Sequence, residues 1–329
     1  MSKNKLKVAF YWAASCGGCE IAVLDLNEQI LKVVELADIV FWPVAIDVKY
    51  KDLEEMPDKY IDITFFNGSI RNSEQEHMAK LLRQKTKTLV AFGSCAQEGC
   101  IPGLANLSER QELLDKVYKK EPSVVNPQQV TPKTTTKVKE GELKIPEFYD
   151  TVRTLEQTVD VDYFLPGCPP PVKLIANAVD AIARNDLPPR GSVLAPVKTV
   201  CDECTRKREN KKIGAIYRVH EKAPEPDRCL MEQGIICMGV ATRGGCGAQC
   251  LNVDMPCTGC GGTTPNMPEQ GAAMISALAS ILGYDKGEGK ETYTEKEIED
   301  IINQVKDPVG TFYMYSLPSS IIKRKVKKK

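Results

Sequence analysis

LKVAFYWAASCGGCE, the stretch from Leu6 to Glu20, decides how the fold begins. Its first part, Leu6 to Ala13, is an apolar run with the composition of a buried strand. A Cys-x-x-Cys pair, Cys16 and Cys19, follows, with two glycines between the thiols. Helical periodicity then continues from Ile21 to Leu36. We therefore expect a strand, a cysteine-bearing turn and a helix, the opening unit of an α/β sheet.

The same alternation of strands and helices continues through the first half of the chain. Further strands are predicted at Asp38–Val44, Ile63–Ile70, Thr88–Gly93 and Asp162–Leu165. Helices are predicted at Ser73–Gln84, with Ser73 as N-cap and Glu76 completing a capping box, and at Pro170–Ala183. Apolar strands separated by helices predict an α/β fold with a parallel, doubly wound sheet.

Two segments depart from this alternation. Lys119–Pro146 is polar and rich in proline and threonine, which predicts an excursion from the sheet such as a hairpin. It is either a surface loop or a clamp on a partner subunit. Pro188–Pro196 predicts a domain boundary, so we assign residues 1–187 to a first domain and 197–329 to a second. In the second domain, helical periodicity returns at Glu269–Leu282.

Charge and hydropathy exclude several classes of protein. Lys+Arg and Asp+Glu both number 44, so no net field steers the chain toward nucleic acid or an anionic membrane. The longest mainly apolar stretch, Ala272–Leu282, is too short to span a bilayer. The N-terminus lacks the pattern of a secretory signal, so we expect a cytoplasmic protein. The basic run Lys323–Lys329 is expected to be a solvated tail, with partner docking as the alternative.

Thirteen cysteines indicate metal binding, because structural disulfides are rare in a reducing cytoplasm. Twelve of them form three groups of four in chain order, and eight lie in the second domain. The groups are Cys16, Cys19, Cys95 and Cys168; Cys201, Cys204, Cys229 and Cys237; and Cys246, Cys250, Cys257 and Cys260. The first group follows three predicted strands, and ligands bind at that edge of open α/β sheets. Cys100 belongs to none of these groups, and we expect it to be an inert buried residue.

Structural zinc is the alternative for each four-cysteine group, since Cys201–Cys204 and Cys257–Cys260 would each suit a zinc ribbon. Three complete sets in one chain are more typical of an electron relay than of scaffolding. The CxxCxxCxxxCP run of a bacterial ferredoxin is absent from the sequence. A second domain rich in cysteine and glycine would also need metal cross-links to hold its fold.

These motifs resemble those of nickel–iron hydrogenase small subunits. The resemblance is carried by SCGGCE at 15–20, FGSCAQEGCIPGL at 92–104, PGCPPP at 166–171, CDEC at 201–204, EQGIICMGVATRGGCGAQC at 232–250 and PCTGC at 256–260. Within that family the chain is most similar to the methyl-viologen-reducing type of methanogens, which works with heterodisulfide reductase. The resemblance covers nearly the whole chain.

The resemblance implies a flavodoxin-like first domain and three 4Fe–4S clusters. The first group of cysteines would hold the proximal cluster, the second the distal one and the third the medial one. Cys201 stands where periplasmic relatives have a histidine, and Cys250 supplies a fourth thiolate where relatives often lack one. Both departures favour clusters of low potential, since histidine ligation raises the potential.

The resemblance also implies two partners. A large subunit would carry the nickel–iron site, since the chain has only two histidines, His77 and His220, neither beside a cysteine pair. A downstream iron–sulfur subunit, linked to heterodisulfide reductase, would accept the electrons. Glu20, beside a proximal ligand, is either a proton carrier at the interface or a helix-start carboxylate. The small subunit of a quinone reductase or energy-converting hydrogenase is the rival within the superfamily, but it usually has adjacent cysteines and one cluster.

Overall fold

The computed structural model describes residues 5–282 and 294–325. The chain divides into two compact units, and the break falls after Leu194. The second unit spans Ala195–Ser316. The first unit consists of the residues before it and those that follow from Leu317. In the described ranges, no helix is both long enough and apolar enough to cross a membrane.

Nine strands and eleven α-helices are described. The strands are β1 (Leu6–Trp12), β2 (Ala37–Phe41), β3 (Ile61–Asn67), β4 (Ile70–Asn72), β5 (Thr86–Phe92), β6 (Thr135–Val138), β7 (Gly141–Lys144), β8 (Phe148–Arg153) and β9 (Tyr163–Leu165). The helices are α1 (Gly18–Leu24), α2 (Ile30–Leu36), α3 (Tyr50–Glu55), α4 (Ser73–Lys85), α5 (Ser94–Glu98), α6 (Cys100–Gly103), α7 (Arg110–Asp115), α8 (Val172–Arg184), α9 (Gln270–Ile281), α10 (Glu295–Ile302) and α11 (Pro308–Phe312).

The first unit is built on a parallel five-stranded sheet with the order β2-β1-β3-β5-β9. This is the flavodoxin order of a doubly wound sheet, as the sequence predicts. Phe10 and Phe65 lie opposite each other in register and stack with ring centroids 5.3 Å apart on one face. Their neighbours Tyr11 and Phe66 point to the other face and also pack together, at 5.1 Å. Both faces are therefore buried, which requires helices on each side.

The predicted helix from Ile21 to Leu36 is two helices, α1 and α2, joined by a short 3-10 turn at Asn27–Gln29. Asn27 has a φ of 50°, in the left-handed region that interrupts a right-handed helix. Its side-chain amide donates to the Asp25 carbonyl. An asparagine that bonds the nearby backbone competes with helix formation, which the apolar periodicity did not reveal.

The predicted N-cap of α4 was wrong by one residue. Asn72 is the cap, and its side chain accepts from the backbone N–H of Gln75 at 2.9 Å. The Gln75 side chain in turn accepts from the Asn72 N–H at 3.2 Å, which completes the capping box. The single predicted strand Ile63–Ile70 is likewise divided into β3 and β4, because Gly68 turns the chain at a φ of 102°.

The polar segment after α7 contains the predicted hairpin. Strands β6 and β7 pair in antiparallel fashion, and all of their residues are exposed. Strand β8 then returns to the unit and pairs with β4, also in antiparallel fashion. The excursion therefore leaves the main sheet and is tied back to it through a small second sheet.

Residues 317–325 lie with the first unit rather than with the second, where the sequence-based assignment had put them. Leu317 is fully buried, and Pro318 packs so closely on Gly99 and Gly103 that a Cβ at either glycine would lie within 2.3 Å of its ring. Gln157 donates to the Pro318 carbonyl at 2.8 Å. These contacts join residues distant in sequence, which local periodicity does not report.

The second unit carries little regular structure. In its described part it has α9, α10 and α11 together with short 3-10 turns such as Met231–Gln233 and Met238–Ala241. Helix α9 begins after Glu269, whose carboxylate caps it by accepting from Ala272. Much of its shape therefore depends on contacts between loops.

We predict that Asn106→Ala destabilises the first unit by about 2–4 kcal/mol, because it leaves buried polar groups of the backbone without their hydrogen-bond partner. The Asn106 side chain is fully buried and exchanges two hydrogen bonds with Val152, at 2.8 and 3.0 Å, and donates to the Lys323 carbonyl. Thermal and urea unfolding would measure the loss. Asn126→Ala is the matched control, because Asn126 makes three similar bonds near the surface, where water can replace them. Equal losses in the two variants would contradict the prediction.

Candidate metal centres

Three strands of the main sheet end next to cysteines. Cys16 follows β1, and Cys19 lies in the first turn of α1. Cys95 follows β5, and Cys168 follows β9. Because parallel strands present their carboxyl ends at one edge, the fold gathers these cysteines there, as the sequence predicts.

Gly93 allows the loops at this edge to approach closely. A Cβ at Gly93 would lie 2.3 Å from the Cys19 Sγ, and the residue has a φ of 83°. The next backbone N–H, from Ser94, donates to the Gly167 carbonyl at 2.8 Å. The glycine therefore fits the β5 loop between Cys19 and the loop that carries Cys168.

Cys100 is buried, as expected, but it is not an isolated thiol. Its Sγ lies 3.8 Å from the Cys168 Sγ, and it also interacts with Cys95. Because Cys100 begins α6 immediately after the turn at Gly99, its side chain points back to the same edge. The edge thus offers five thiols for a four-thiolate site, which chain-order grouping did not anticipate.

Burial and crowding raise the pKa of Cys19 and Cys168 and so favour the protonated form of these two thiols. Burial raises the pKa of Cys19 to about 12, and nearby Cys168 and Cys16 contribute to the rise. The pKa of Cys168 is also raised, chiefly by its contact with Cys100. Metal ligation requires thiolate, so metal binding at this edge would release protons.

In the second unit, four cysteines line one cavity of about 380 Å³. They are Cys201, Cys204, Cys229 and Cys237, the second group predicted from the sequence. Burial raises the pKa of Cys237 to about 11. Four thiols around a space of this size are a donor set that suits a four-iron cluster.

Arg208 also lines this cavity. Its guanidinium hydrogen-bonds the Cys201 sulfur and opposes the rise that burial causes in the pKa of that thiol. Positive charge beside a thiolate stabilises the ionised ligand. Sequence reasoning missed this residue, although the basic run that follows CDEC was a visible signal.

The third predicted group is only partly assembled. Cys257 and Cys260 lie close together, and the Cys257 N–H donates to the Cys237 Sγ at 3.3 Å. Cys237 thus stands between the second and third groups. Cys246 is half-buried and Cys250 is exposed, on the loop that precedes them. Within residues 5–282 and 294–325, no three His, Cys, Asp or Glu side chains converge tightly enough to hold a single metal ion.

Polar side chains between the cysteines hold the loops of the second unit. The Glu203 carboxylate, inside the CDEC motif, accepts from the N–H groups of Gly245 and Gly247 at 2.7 and 2.8 Å, on either side of Cys246. The buried Gln270 donates to the Gly259 carbonyl at 2.8 Å, within the turn between Cys257 and Cys260. These residues position cysteine loops without touching a metal themselves.

A buried arginine performs a similar role next to the cavity. Arg206 donates to the carbonyls of Leu251, Glu225 and Arg228 and forms an ion pair with Asp254. Its guanidinium therefore ties three segments around Cys229 and Cys250. The sequence gives no signal for this role, because the bonds connect loops that lack periodicity.

The other functional residues considered from the sequence, two histidines and one glutamate, are not part of the cysteine groups. His77 is exposed and lies near Glu54, and His220 is also exposed. Glu20 is buried in the first turn of α1, and burial raises its pKa while the Trp42 indole opposes the rise.

Comparison with known proteins shows which class of protein has this fold and these cysteines. A family model described as NADH ubiquinone oxidoreductase, 20 Kd subunit, matches residues 16–182, which include all four cysteines predicted for the sheet-edge site. The Ni-Fe-Se hydrogenase from Desulfomicrobium baculatum is similar in structure, with a TM-score of 0.50 and 16% identity over 78% of this chain and 94% of that one. That likeness concerns the fold alone.

Relatives that match over the full length define the type. The iron-sulfur subunit of the F420-non-reducing hydrogenase of Archaeoglobus profundus is 42% identical, over 98% of this chain and 99% of that protein. A subunit of the F420-non-reducing hydrogenase of Methanothermobacter marburgensis is 35% identical, over 99% and 98%. The chain therefore belongs to the family of nickel–iron hydrogenase small subunits of the F420-non-reducing type. It is a subunit of an oxidoreductase, and the resemblance read from its motifs is confirmed.

We predict that Cys100→Ala retains the full iron content of the complex, because the four proposed ligands, Cys16, Cys19, Cys95 and Cys168, all remain at the sheet edge. Cys95→Ala should lose about four irons, the content of one 4Fe–4S cluster. Anaerobic iron analysis of both variants, each purified with its partner subunits, would measure the difference. Loss of about four irons in Cys100→Ala, with retention in Cys95→Ala, would show that Cys100 is the ligand and Cys95 the spare thiol.

Proposed function

We propose that this chain is the electron-transferring small subunit of a cytoplasmic nickel–iron hydrogenase. In this proposal it passes electrons from hydrogen oxidation in a large subunit to a separate acceptor. The observation that carries the proposal is the cavity lined by Cys201, Cys204, Cys229 and Cys237, together with the cysteines at the sheet edge. Two such sites in different units suit a relay better than a single catalytic centre.

Three 4Fe–4S clusters, when bound, would supply one-electron transfer at low potential. Cys16, Cys19, Cys95 and Cys168 would hold the proximal cluster, and the cysteines of the cavity the distal one. Cys246, Cys250, Cys257 and Cys260 would hold the medial cluster. The cavity and the close packing of Cys19 on Gly93 support the first two assignments. The third rests on chain order and on the proximity of Cys257 to Cys260.

The sheet edge is the proposed contact with the large subunit. Cys16 and Cys168 are exposed there. Trp12, at the end of β1, and Ile21 and Leu24, on α1, also expose large apolar surfaces, with Ile21 59% accessible. Exposed apolar groups around a functional edge mark a protein interface. Covering by a large subunit would bury them and exclude water from the thiols.

Electrons would leave from the second unit. The proposed acceptor is an iron–sulfur subunit that connects the complex to heterodisulfide reductase. This part of the proposal rests on the likeness to the methyl-viologen-reducing type and to the hydrogenase subunit of Methanothermobacter marburgensis. A quinone-reducing role, suggested by the name of the family model, is less well supported, because that model ends at residue 182, before the eight later cysteines.

We predict different assay profiles for substitutions at the two ends of the relay. Cys204→Ser replaces a thiolate at the cavity with a harder, poorer ligand. Hydrogen–deuterium exchange, which needs only the nickel–iron site of the partner, should persist in the assembled complex. Hydrogen-driven reduction of the physiological acceptor should fall at least about tenfold, since the terminal donor is damaged.

Cys19→Ser should instead interrupt the relay at its first step, and it should weaken assembly with the large subunit, because the cluster joins three strand ends. Size-exclusion chromatography and both assays, run on the two variants, separate these effects. Equal loss of exchange and of acceptor reduction in a correctly assembled Cys204→Ser complex would contradict the proposed order.

A further inference from the structure

A concentration of positive charge follows the CDEC motif. Residues 205–222, here called the basic segment, contain seven Lys or Arg and two Glu, a net charge of 7 − 2 = +5. The chain as a whole has 44 basic and 44 acidic residues. An excess of five positive charges in 18 residues creates a local positive field, although the net charge of the whole chain is zero.

The basic segment lies at the four-cysteine cavity. Arg208, Lys211 and Lys212 line the cavity together with the cysteines, and Arg208 and Lys211 are exposed. The cavity therefore reaches the surface where these cations stand. Lys207, between the buried Arg206 and Arg208, is exposed as well.

Hydrogen bonds hold the backbone of the basic segment in place. The Glu232 carboxylate accepts from the N–H groups of Glu209 and Asn210 at 2.7 and 2.8 Å. The N–H of Lys207 donates to the Asp227 carbonyl at 2.8 Å. The cations are thus presented on an ordered loop, which lowers the entropy lost when a partner binds.

Local carboxylates neutralise only part of this charge. Lys211 forms an ion pair with Glu209, and the buried Arg206 pairs with Asp254. Lys212 donates to the Ser280 carbonyl at 2.6 Å, a contact that fixes the ammonium without cancelling its charge. The cavity lining holds four basic side chains and one acidic side chain, Glu232, so basic groups remain in excess there even when the two ion pairs are counted.

We infer that the basic segment is the docking surface for an acidic electron-accepting protein of the ferredoxin type. The inference rests on the proposed function, since it locates the exit of the electrons at this cavity. In the transfer, the reduced complex loses one electron and the oxidised iron–sulfur centre of the acceptor gains it. Complementary charge steers such encounters, raises the association rate and makes that rate sensitive to salt. It also brings the acceptor to the cavity mouth, as short-range electron transfer requires.

The test reverses charge at two exposed positions of the basic segment that do not line the cavity, Lys207→Glu with Arg218→Glu, in the complete hydrogenase complex. These changes take the basic segment from +5 to about +1. The matched control is Lys51→Glu with Lys116→Glu, at two exposed lysines of the first unit. The probe is an acidic ferredoxin, reduced with hydrogen as the donor over a range of ionic strength.

At low ionic strength, the second-order rate of ferredoxin reduction should fall about tenfold or more in the variant, and it should no longer decrease with added salt. The control should stay within about twofold of the native complex. Iron content and hydrogen-driven reduction of a small uncharged dye should be unchanged in both.

Equal ferredoxin rates and equal salt dependence in the variant and the native complex would overturn the docking inference. Parallel loss of iron or of dye reduction in the variant would also overturn it, since Lys207 and Arg218 would then be structural. Failure of the native complex to reduce the dye with hydrogen would instead refute the proposed function.

Discussion

Bonds between buried sulfur and metal are the interaction on which the proposed relay would depend. Burial raises the pKa of Cys19 to about 12 and that of Cys237 to about 11, so the thiols favour their neutral form in the protein environment alone. Metal ions reverse this preference, because they bind thiolate and displace the proton. The second unit, whose described part consists mainly of loops and 3-10 turns, would gain most from such bonds. Cluster binding and folding are therefore expected to be coupled there.

The protein prepares these sites with contacts that do not involve metal. Glu203 ties the CDEC loop to the loop of Cys246, and Gln270 fixes the turn between Cys257 and Cys260. Arg206 joins two further segments through the carbonyl groups of Glu225, Arg228 and Leu251. In the first unit the parallel sheet positions the cysteines, because its geometry brings separate strand ends to one edge. A sheet and a network of hydrogen-bonded loops thus reach the same result by different means.

The sequence predicted those features that depend on local pattern. Apolar runs located β1 and the other strands of the main sheet, and cysteine spacing predicted the set that lines the cavity. The sequence did not predict the features that depend on contacts between residues distant in the chain. Pro318 packs on Gly99 and Gly103, which joins residues 317–325 to the first unit, and no periodicity signals that contact. Cys100 reaches Cys168 because the turn at Gly99 redirects the chain, and Arg208 meets Cys201 through a loop without regular structure.

The identity of the metal at the four-cysteine cavity would be the decisive test of the proposed relay. Crystals of the complete complex, measured at the iron and zinc absorption edges, would locate each metal by its anomalous scattering. The proposed relay predicts strong iron scattering in the cavity lined by Cys201, Cys204, Cys229 and Cys237, at the sheet edge beside Cys19, and beside Cys257 and Cys260. Zinc scattering in the cavity, or an iron signal confined to the sheet edge, would contradict it.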